Sequence, residues 1–196
     1  MGGIGKTALV TKLTHQLQSH FTKVVWRWRS LSHGESLRNA PPLATLIPAI
    51  IQILSDRTQI LDPSVDISTQ ISQLLDYLRQ ERCLLVLDNA EAIISRNTDD
   101  VLPLEDPAYA ELFERIGASV HQSCLVLTSR EKPAAIVPLE GEKLPVRTLT
   151  IAGLNSPESD RLFEAKGLSI GSGRQRLWQI YSGNPLALNI GLASRR

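Results

Sequence analysis

The sequence predicts an α/β fold in which a doubly wound parallel sheet is followed by a group of helices. Stretches with apolar residues at helical spacing alternate with short apolar runs, which is the pattern of helices that connect parallel strands. After residue 153 the chain contains helical patterns without further apolar runs of this kind. We therefore expect a sheet-containing subdomain over residues 1–152 and a partial helical subdomain over residues 153–196.

The first elements of the predicted sheet subdomain are a helix and a strand. Residues 6–19 predict a helix with Leu9, Leu13 and Leu17 on one face. Lys23–Trp28 is short and rich in β-branched and aromatic residues, so it predicts a strand.

A polar loop and two further helices follow. Residues 29–42 contain glycine and two prolines and predict a loop. Residues 43–54 carry apolar side chains at helical spacing around Pro48, so this helix either begins near Thr45 or is kinked. The next helix is predicted over about residues 67–80.

Two continuous apolar runs, Cys83–Leu87 and Cys124–Leu127, predict strands that are buried on both faces, as in a parallel sheet. Between them, residues 95–106 are acidic and predict a loop. Val146–Ile151 predicts the last strand of the sheet.

Proline at a first-turn position predicts three helix starts, at Pro107, Pro157 and Pro185. A further helix is predicted over residues 172–182, with Gly183 at its end.

Composition argues against several classes of protein. Lys and Arg number 21 and Asp and Glu number 20, so no broad charge attracts nucleic acid or a membrane surface. The sequence has no apolar run long enough for a transmembrane helix and no signal-peptide pattern. Cys83 and Cys124 each begin an apolar run, and we interpret both as small core residues in a reduced cytoplasm. We expect a cytoplasmic protein without nucleic-acid or membrane partners.

The segment Met1–Thr7 (MGGIGKT), followed by an amphipathic helix, has the chemistry of a phosphate-binding loop. Its three glycines leave backbone N–H groups accessible, and the helix directs the positive end of its dipole toward the phosphates. Lys6 would reach the β- and γ-phosphates, and the Thr7 hydroxyl would ligate Mg²⁺. A chance Gly-Lys-Thr in a flexible start is the alternative interpretation.

Three later motifs support the phosphate-loop interpretation by their order and spacing. Asp88 ends an apolar strand, which places a carboxylate at the edge where open α/β sheets bind ligands; its alternative role is to cap the helix that follows. Arg130 follows the next strand and would contact a γ-phosphate, or else is a solvated loop residue. Ser182–Leu188 (SGNPLAL), on spacing alone, is a connector between helices.

Together these segments resemble the NB-ARC domain of the signal-transduction ATPases, the STAND class of P-loop NTPases. The resemblance is strongest to bacterial proteins in which this domain precedes WD or TPR repeats. It extends over almost the whole chain, and the matching segments are MGGIGKTAL, VVWR with SLRNAPP, CLLVLDNAE, HQSCLVLTSREKP, LEGEKLPVRTLTIAGL and YSGNPLAL.

The resemblance implies a P-loop NTPase sheet whose first strand is missing here, followed by the start of a helical ARC subdomain. The chain is accordingly expected to be truncated at both ends. The family implies a switch in which ADP holds a resting form and exchange for ATP, with Mg²⁺, opens it and promotes oligomerisation. The implied partners are the nucleotide and the other domains of a longer chain, a winged helix and WD or TPR repeats.

The same resemblance assigns roles to individual residues. Asp88 and Thr7 correspond to the metal site, Arg130 to the arginine that detects the γ-phosphate, and Pro185 to the proline that packs on adenine. The full set of implied nucleotide-binding residues is Gly2, Gly3, Ile4, Gly5, Lys6, Thr7, Ala8, Arg130 and Pro185.

Many relatives carry a second acid directly after the metal-associated aspartate, where this chain has Asn89. Glu91 is the nearest acid and is the candidate catalytic residue. We therefore expect slow ATP hydrolysis at most. The leading hypothesis is a regulatory module that binds ADP or ATP. The alternatives are a truncated fragment that binds no nucleotide and, less favoured, an active P-loop ATPase or phosphotransferase.

Overall fold

The computed structural model describes residues 2–27, 41–62, 64–95, 104–167 and 172–193. Contacts along the chain divide it into two compact units. We call Val10–Thr148 the sheet unit, and Met1–Leu9 together with Leu149–Arg196 the helical unit. The division places the N-terminal residues with the C-terminal segment, and the subdomain boundary predicted near residue 153 stays a prediction.

Helices and strands alternate through most of the described chain. In chain order they are α1 (Lys6–Leu17), β1 (Lys23–Arg27), α2 (Leu43–Leu54), α3 (Ile67–Gln80), β2 (Cys83–Leu87), β3 (Ile94–Ser95), β4 (Leu104–Glu105), α4 (Pro107–Ala118), β5 (Cys124–Leu127), α5 (Ser156–Ala165), α6 (Ser172–Tyr181) and α7 (Pro185–Ala193). Among the described helices, none is both long enough and apolar enough to cross a lipid bilayer.

The central element of the sheet unit is a parallel sheet with the spatial order β1, β2, β5. The central strand β2 pairs in parallel with β1 on one side and with β5 on the other. All five residues of β2 are buried. This arrangement confirms the predicted α/β class and the predicted burial of Cys83–Leu87.

Separate apolar clusters cover the two faces of this sheet. Leu85 and Leu87 belong to the larger cluster, together with buried side chains of α2, α3 and α4. Leu84 and Val86 belong to a second cluster, together with Val10 of α1. Because successive side chains of a strand point to opposite faces, β2 is buried by helices on both sides.

The face of α1 that packs on the sheet differs from the predicted apolar face. Leu9 and Leu13 are exposed, and the buried residue of this helix is Val10. Neighbouring positions of a helix are about 100° apart around its axis. Val10, one position after Leu9, therefore faces the strands, whereas Leu9 and Leu13 face solvent.

Local capping chemistry sets the helix starts. Asp66 caps α3 through a hydrogen bond from the first helical turn, and α3 spans the predicted range. Asp106 caps α4 in the same way, and this helix starts at the predicted proline. Helix α2 begins at Leu43, before Thr45, and includes Pro48.

The predicted burial of β5 on both faces is wrong. In the described part of the chain β5 pairs with β2 on one edge only, and its side chains are half-buried or exposed. Cys124 is exposed whereas Cys83 is buried, so the expectation of two core cysteines holds for Cys83 alone. The apolar run Cys124–Leu127 indicates a strand, but burial also depends on which elements pack beside it.

The predicted strand Val146–Ile151 is not formed. Val146 makes an isolated bridge with Glu140, and Leu149 is exposed. β-forming residues become a strand only when a neighbouring backbone pairs with them, and none of the described strands pairs with this segment.

Part of the predicted acidic loop at residues 95–106 is paired, because β3 and β4 form a short antiparallel ladder. Residues 96–103, between these strands, lie outside the described part of the chain. So do residues 28–40, which include most of the loop predicted over residues 29–42.

The helical unit contains the three predicted helices α5, α6 and α7. Asn155 and Glu158 form a capping box at the start of α5. Trp178 of α6 donates its indole N–H to the Leu154 carbonyl oxygen at 2.7 Å. A Cβ atom at Gly183 would lie 2.1 Å from the same carbonyl oxygen, so this close approach requires glycine.

We expect Ile71→Ala to destabilise the sheet unit. Ile71 of α3 is 0% exposed and lies in the larger apolar cluster, so its truncation removes buried methyl groups and leaves a cavity. Such changes cost about 2–5 kcal/mol in the free energy of unfolding, which urea denaturation would measure. Ile60→Ala is the matched control because Ile60 is 86% exposed, and it should change stability by less than about 0.5 kcal/mol. Similar losses in both variants would contradict this account of the core.

Candidate functional site

The glycine-rich loop at the N-terminus leads directly into α1. Gly3 and Gly5 have positive φ angles of 74° and 102°, a conformation that side chains disfavour. The Leu9 N–H then donates to the Gly5 carbonyl oxygen at 2.9 Å, which starts the helical hydrogen-bonding pattern. The first-turn N–H groups of a helix have no acceptor within the helix, so they are suited to bind an anion.

Most of the predicted loop residues are accessible. Gly2, Gly3, Thr7 and Ala8 are exposed, and Gly5 and Lys6 are half-buried. Ile4, at 8% exposed, is buried. No Cβ contact would arise at Gly5 within 4 Å, so the space beside this residue is open. Most of the loop is therefore accessible to solvent, whereas the Ile4 side chain is buried.

The loop is also hydrogen-bonded to the start of α7. The Asn184 side chain donates from Nδ2 to the Gly2 carbonyl oxygen at 2.8 Å. The Leu186 N–H donates to the Gly3 carbonyl oxygen at 3.3 Å. Pro185, the predicted adenine contact, lies between these two residues and is half-buried. Both elements belong to the helical unit.

In the sheet unit, Asp88 emerges from the end of β2 and is held by Thr128, which follows β5. Asp88 is 3% exposed, and its Oδ1 accepts a hydrogen bond from the Thr128 hydroxyl at 2.5 Å. The same hydroxyl oxygen accepts from the Asn89 N–H at 2.9 Å. The Thr128 backbone bonds to the residues on either side of Asp88-Asn89. Its N–H donates to Leu87 O at 3.0 Å, and its carbonyl oxygen accepts from the Ala90 N–H at 2.7 Å. These hydrogen bonds connect the ends of β2 and β5 and hold the Asp88 carboxylate between them.

The segment after Asp88 turns sharply. Asn89 adopts the left-handed conformation (φ 71°, ψ 42°) and precedes a 3-10 turn over Ala90–Ala92. Asn89 makes no side-chain cap to this turn. The turn places Glu91 beside Arg130.

Glu91 and Arg130 form an ion pair, with Arg130 Nε 2.9 Å from Glu91 Oε1. The arginine side chain is 57% exposed and the glutamate 22% exposed. The second carboxylate oxygen, Glu91 Oε2, is buried and has no hydrogen-bond partner among the described residues. The candidate γ-phosphate sensor and the candidate catalytic acid are therefore in contact with each other.

The predicted site residues thus fall into two clusters. The phosphate-loop cluster, Gly2–Thr7 with Asn184 and Pro185, lies in the helical unit. The strand-end cluster, Asp88, Glu91, Thr128 and Arg130, lies in the sheet unit. Thr7 and Asp88 belong to different units, and their joint metal site stays a prediction.

Thr128 and Asn184 were not predicted from the sequence as site residues. Each lies close to a predicted site residue in the sequence. Thr128 is two positions before Arg130, and Asn184 directly precedes Pro185. A polar residue at the end of a strand or at a helix N-cap could have indicated a candidate site residue. Its partner, however, is 40 residues away for Thr128 and 182 away for Asn184, and sequence spacing does not indicate such pairs.

Comparison with known proteins agrees with this geometry. The family model of the NB-ARC domain matches residues 1–167. An uncharacterized WD repeat-containing protein of Nostoc sp. (strain PCC 7120) is 41% identical over 211 aligned positions. The alignment covers 100% of this chain and 16% of that relative, so the chain corresponds to a small part of its length. A nucleotide-binding P-loop NTPase fold is what this family provides, and the chain belongs to the NB-ARC domain family.

Proposed function

We propose that the chain is the nucleotide-controlled switch module of a signal-transduction ATPase, and that it binds ADP or ATP with Mg²⁺. The observation that carries this proposal is the loop of left-handed glycines that leads directly into the N-terminus of α1. Such a loop offers convergent N–H donors and the positive end of a helix dipole to a chain of phosphates. The NB-ARC match supports the same assignment.

The phosphate-binding roles follow from the chemistry of each residue. The backbone of Gly2–Gly5, with Ile4 buried beneath it, would surround the phosphates, and the first turn of α1 at Ala8 would complete the set of N–H donors. Lys6 would neutralise the β- and γ-phosphates as a compact cation.

The donor set also fits magnesium, which prefers oxygen ligands and usually retains several waters. Thr7 would supply a hydroxyl oxygen and Asp88 a carboxylate oxygen. The Thr128 hydroxyl already orients the Asp88 carboxylate at the strand end. A metal ion held there would neutralise phosphate charge.

Arg130 is proposed to report the γ-phosphate by exchanging its partner. The Arg130 side chain is 57% exposed, so solvent weakens its attraction to the Glu91 carboxylate and leaves the guanidinium accessible to a competing anion. A γ-phosphate carries more charge than a carboxylate and offers more acceptor oxygens, and would compete for the guanidinium. Release of Glu91 would then leave one carboxylate available to position water, consistent with hydrolysis that is slow at most.

The role proposed for Pro185 is contact with the adenine ring, as in the family. Further domains of a longer chain, WD repeats by likeness to the Nostoc relative, would respond to the bound nucleotide. We propose that exchange of ADP for ATP changes the contacts of these domains and promotes oligomerisation in the cytoplasm.

Lys6→Ala is expected to weaken ADP binding by at least about tenfold, because a hydrogen bond to a charged group is worth roughly 1.5–3 kcal/mol. Isothermal titration calorimetry would measure the dissociation constant. Lys12→Ala is the matched control, since Lys12 is an exposed lysine of the same helix. If Lys6→Ala bound ADP as tightly as the wild type, the phosphate-loop assignment would be wrong. A wild-type protein that bound neither ADP nor ATP would instead support the non-binding alternative.

Arg130→Ala should reduce ATP affinity more than ADP affinity, because the proposed contact is to the γ-phosphate. The ratio of the two dissociation constants, in the wild type and in the variant, is the quantity to measure. Arg79→Ala serves as control because Arg79 lies on α3 and pairs with Asp76. Equal losses for both nucleotides would remove the sensor role from Arg130.

Thr128→Val should reduce the benefit of Mg²⁺ to nucleotide binding by roughly three- to tenfold, because the Asp88 carboxylate loses the hydrogen bond from the Thr128 hydroxyl. Thr128→Ser retains the hydroxyl and should preserve most of the effect. The measurement compares ADP affinity in Mg²⁺ and in EDTA. Thr45→Val, which removes an exposed hydroxyl at the start of α2, is the control. A Mg²⁺ effect that is unchanged in Thr128→Val would argue against Asp88 as the metal-associated acid.

A further inference from the structure

One side chain, Asn184, joins the phosphate loop to the N-terminus of α7. It is 9% exposed, and both the nitrogen and the oxygen of its side-chain amide form hydrogen bonds. Nδ2 donates to Gly2 O at 2.8 Å, while Oδ1 accepts from the N–H groups of Leu186 and Ala187, each at 3.1 Å. The acceptor side is the N-cap of α7, and the donor side reaches the loop.

The orientation of this amide follows from its partners. Two N–H donors face one end of the Asn184 side chain and a carbonyl oxygen faces the other. A flipped amide would place its NH₂ group against the two donors and its oxygen against the carbonyl. The donor to Gly2 is therefore required by the network.

The second loop contact shows how closely α7 approaches. The Leu186 N–H donates to Gly3 O, and a Cβ atom at Gly3 would lie 2.6 Å from Leu186 Cβ. Glycine is needed at Gly3 for this approach as well as for its φ of 74°. Two successive loop carbonyls are thus directed at the first turn of α7.

The direction of these carbonyls determines the direction of the loop N–H groups. In a trans peptide the N–H points opposite to the carbonyl oxygen of the same unit, and the described residues contain no cis peptide. With Gly2 O and Gly3 O held by α7, the N–H groups of Gly3 and Ile4 point away from α7. Those N–H groups are the donors that a phosphate-binding loop offers to its ligand.

We propose that Asn184 is a positioning residue of the phosphate loop and that it couples nucleotide binding to the N-terminal turn of α7. This inference rests on the proposed function, because it concerns the same nucleotide site. Since one amide both caps α7 and orients the loop, a ligand that orders the loop also stabilises the cap. The coupling is reciprocal, as any linkage between binding free energies must be.

The test compares two matched substitutions of N-cap asparagines in the helical unit. Asn184→Ser keeps an oxygen acceptor for α7, because serine and asparagine are near-equal N-caps, but it is too short to donate to Gly2 O. Asn155→Ser makes the same chemical change at the cap of α5, where the hydrogen-bonding partner is Glu158. Asn184→Asp preserves size and cap while placing a carboxylate oxygen opposite Gly2 O.

We expect Asn184→Ser to raise the dissociation constant for ADP by about three- to tenfold, the value of one hydrogen bond between neutral groups. Asn184→Asp should raise it further, and Asn155→Ser should leave it within twofold of the wild type. Hydrogen exchange supplies the second readout. Saturating ADP should slow exchange at Leu186–Leu188 in the wild type and in Asn155→Ser, but less so in Asn184→Ser.

The outcomes separate this inference from the proposed function. Wild-type binding together with unchanged affinity in Asn184→Ser would overturn the positioning role and leave the nucleotide function intact. Unchanged exchange at α7 on ADP binding to the wild type would overturn the coupling. Equal affinity losses in Asn184→Ser and Asn155→Ser would show that the loss does not depend on the hydrogen bond to Gly2 O, and would overturn the positioning role. A wild-type protein without measurable affinity for ADP or ATP would overturn both the function and the inference.

Discussion

The burial of β2 is the constraint on which the rest of the sheet unit depends. This strand is hydrogen-bonded to β1 and β5 along its two edges and covered by apolar side chains on its two faces. Because both edges and both faces of β2 are covered, polar side chains can be accommodated only beyond the ends of this strand. Asp88 is the first residue beyond its carboxyl end, so its position beside the end of β5 follows from the packing of Cys83–Leu87.

Burial also distinguishes the two polar contacts at this end of the sheet. The hydrogen bond between Thr128 and Asp88 is buried, and breaking it would leave polar atoms without solvent to replace the lost partner. The ion pair between Glu91 and Arg130 is exposed on its arginine side, so water and salt compete for the guanidinium. One contact therefore behaves as a fixed support and the other as an exchangeable one.

Much of the fold could be predicted from the sequence because its signals are local. The spacing of apolar residues predicted α3, and Asp106 followed by Pro107 predicted the start of α4. Predictions failed where the outcome depends on a distant neighbour. Val146–Ile151 has the composition of a strand but lacks pairing among the described strands, and Cys124 is exposed in a strand that has one neighbour among the described strands.

The same distinction holds for the candidate site. The phosphate-loop residues and Asp88 could be predicted as candidates because a glycine-rich loop before a helix and an acidic residue at a strand end are recognisable in the sequence. Thr128 and Asn184 were missed because their roles consist of contacts to remote backbone and carboxylate groups. The contact between Glu91 and Arg130 depends likewise on the turn after β2, whose left-handed residue has no unique sequence signature.

That left-handed residue has an evolutionary consequence. At φ 71°, position 89 tolerates asparagine, aspartate or glycine and disfavours β-branched and bulky side chains. Asparagine and aspartate have nearly the same shape, so a lineage could gain or lose a second acid beside Asp88 without reshaping the backbone. A second acid beside Asp88 would therefore require no rearrangement of this turn, because the left-handed conformation that accommodates it is already present.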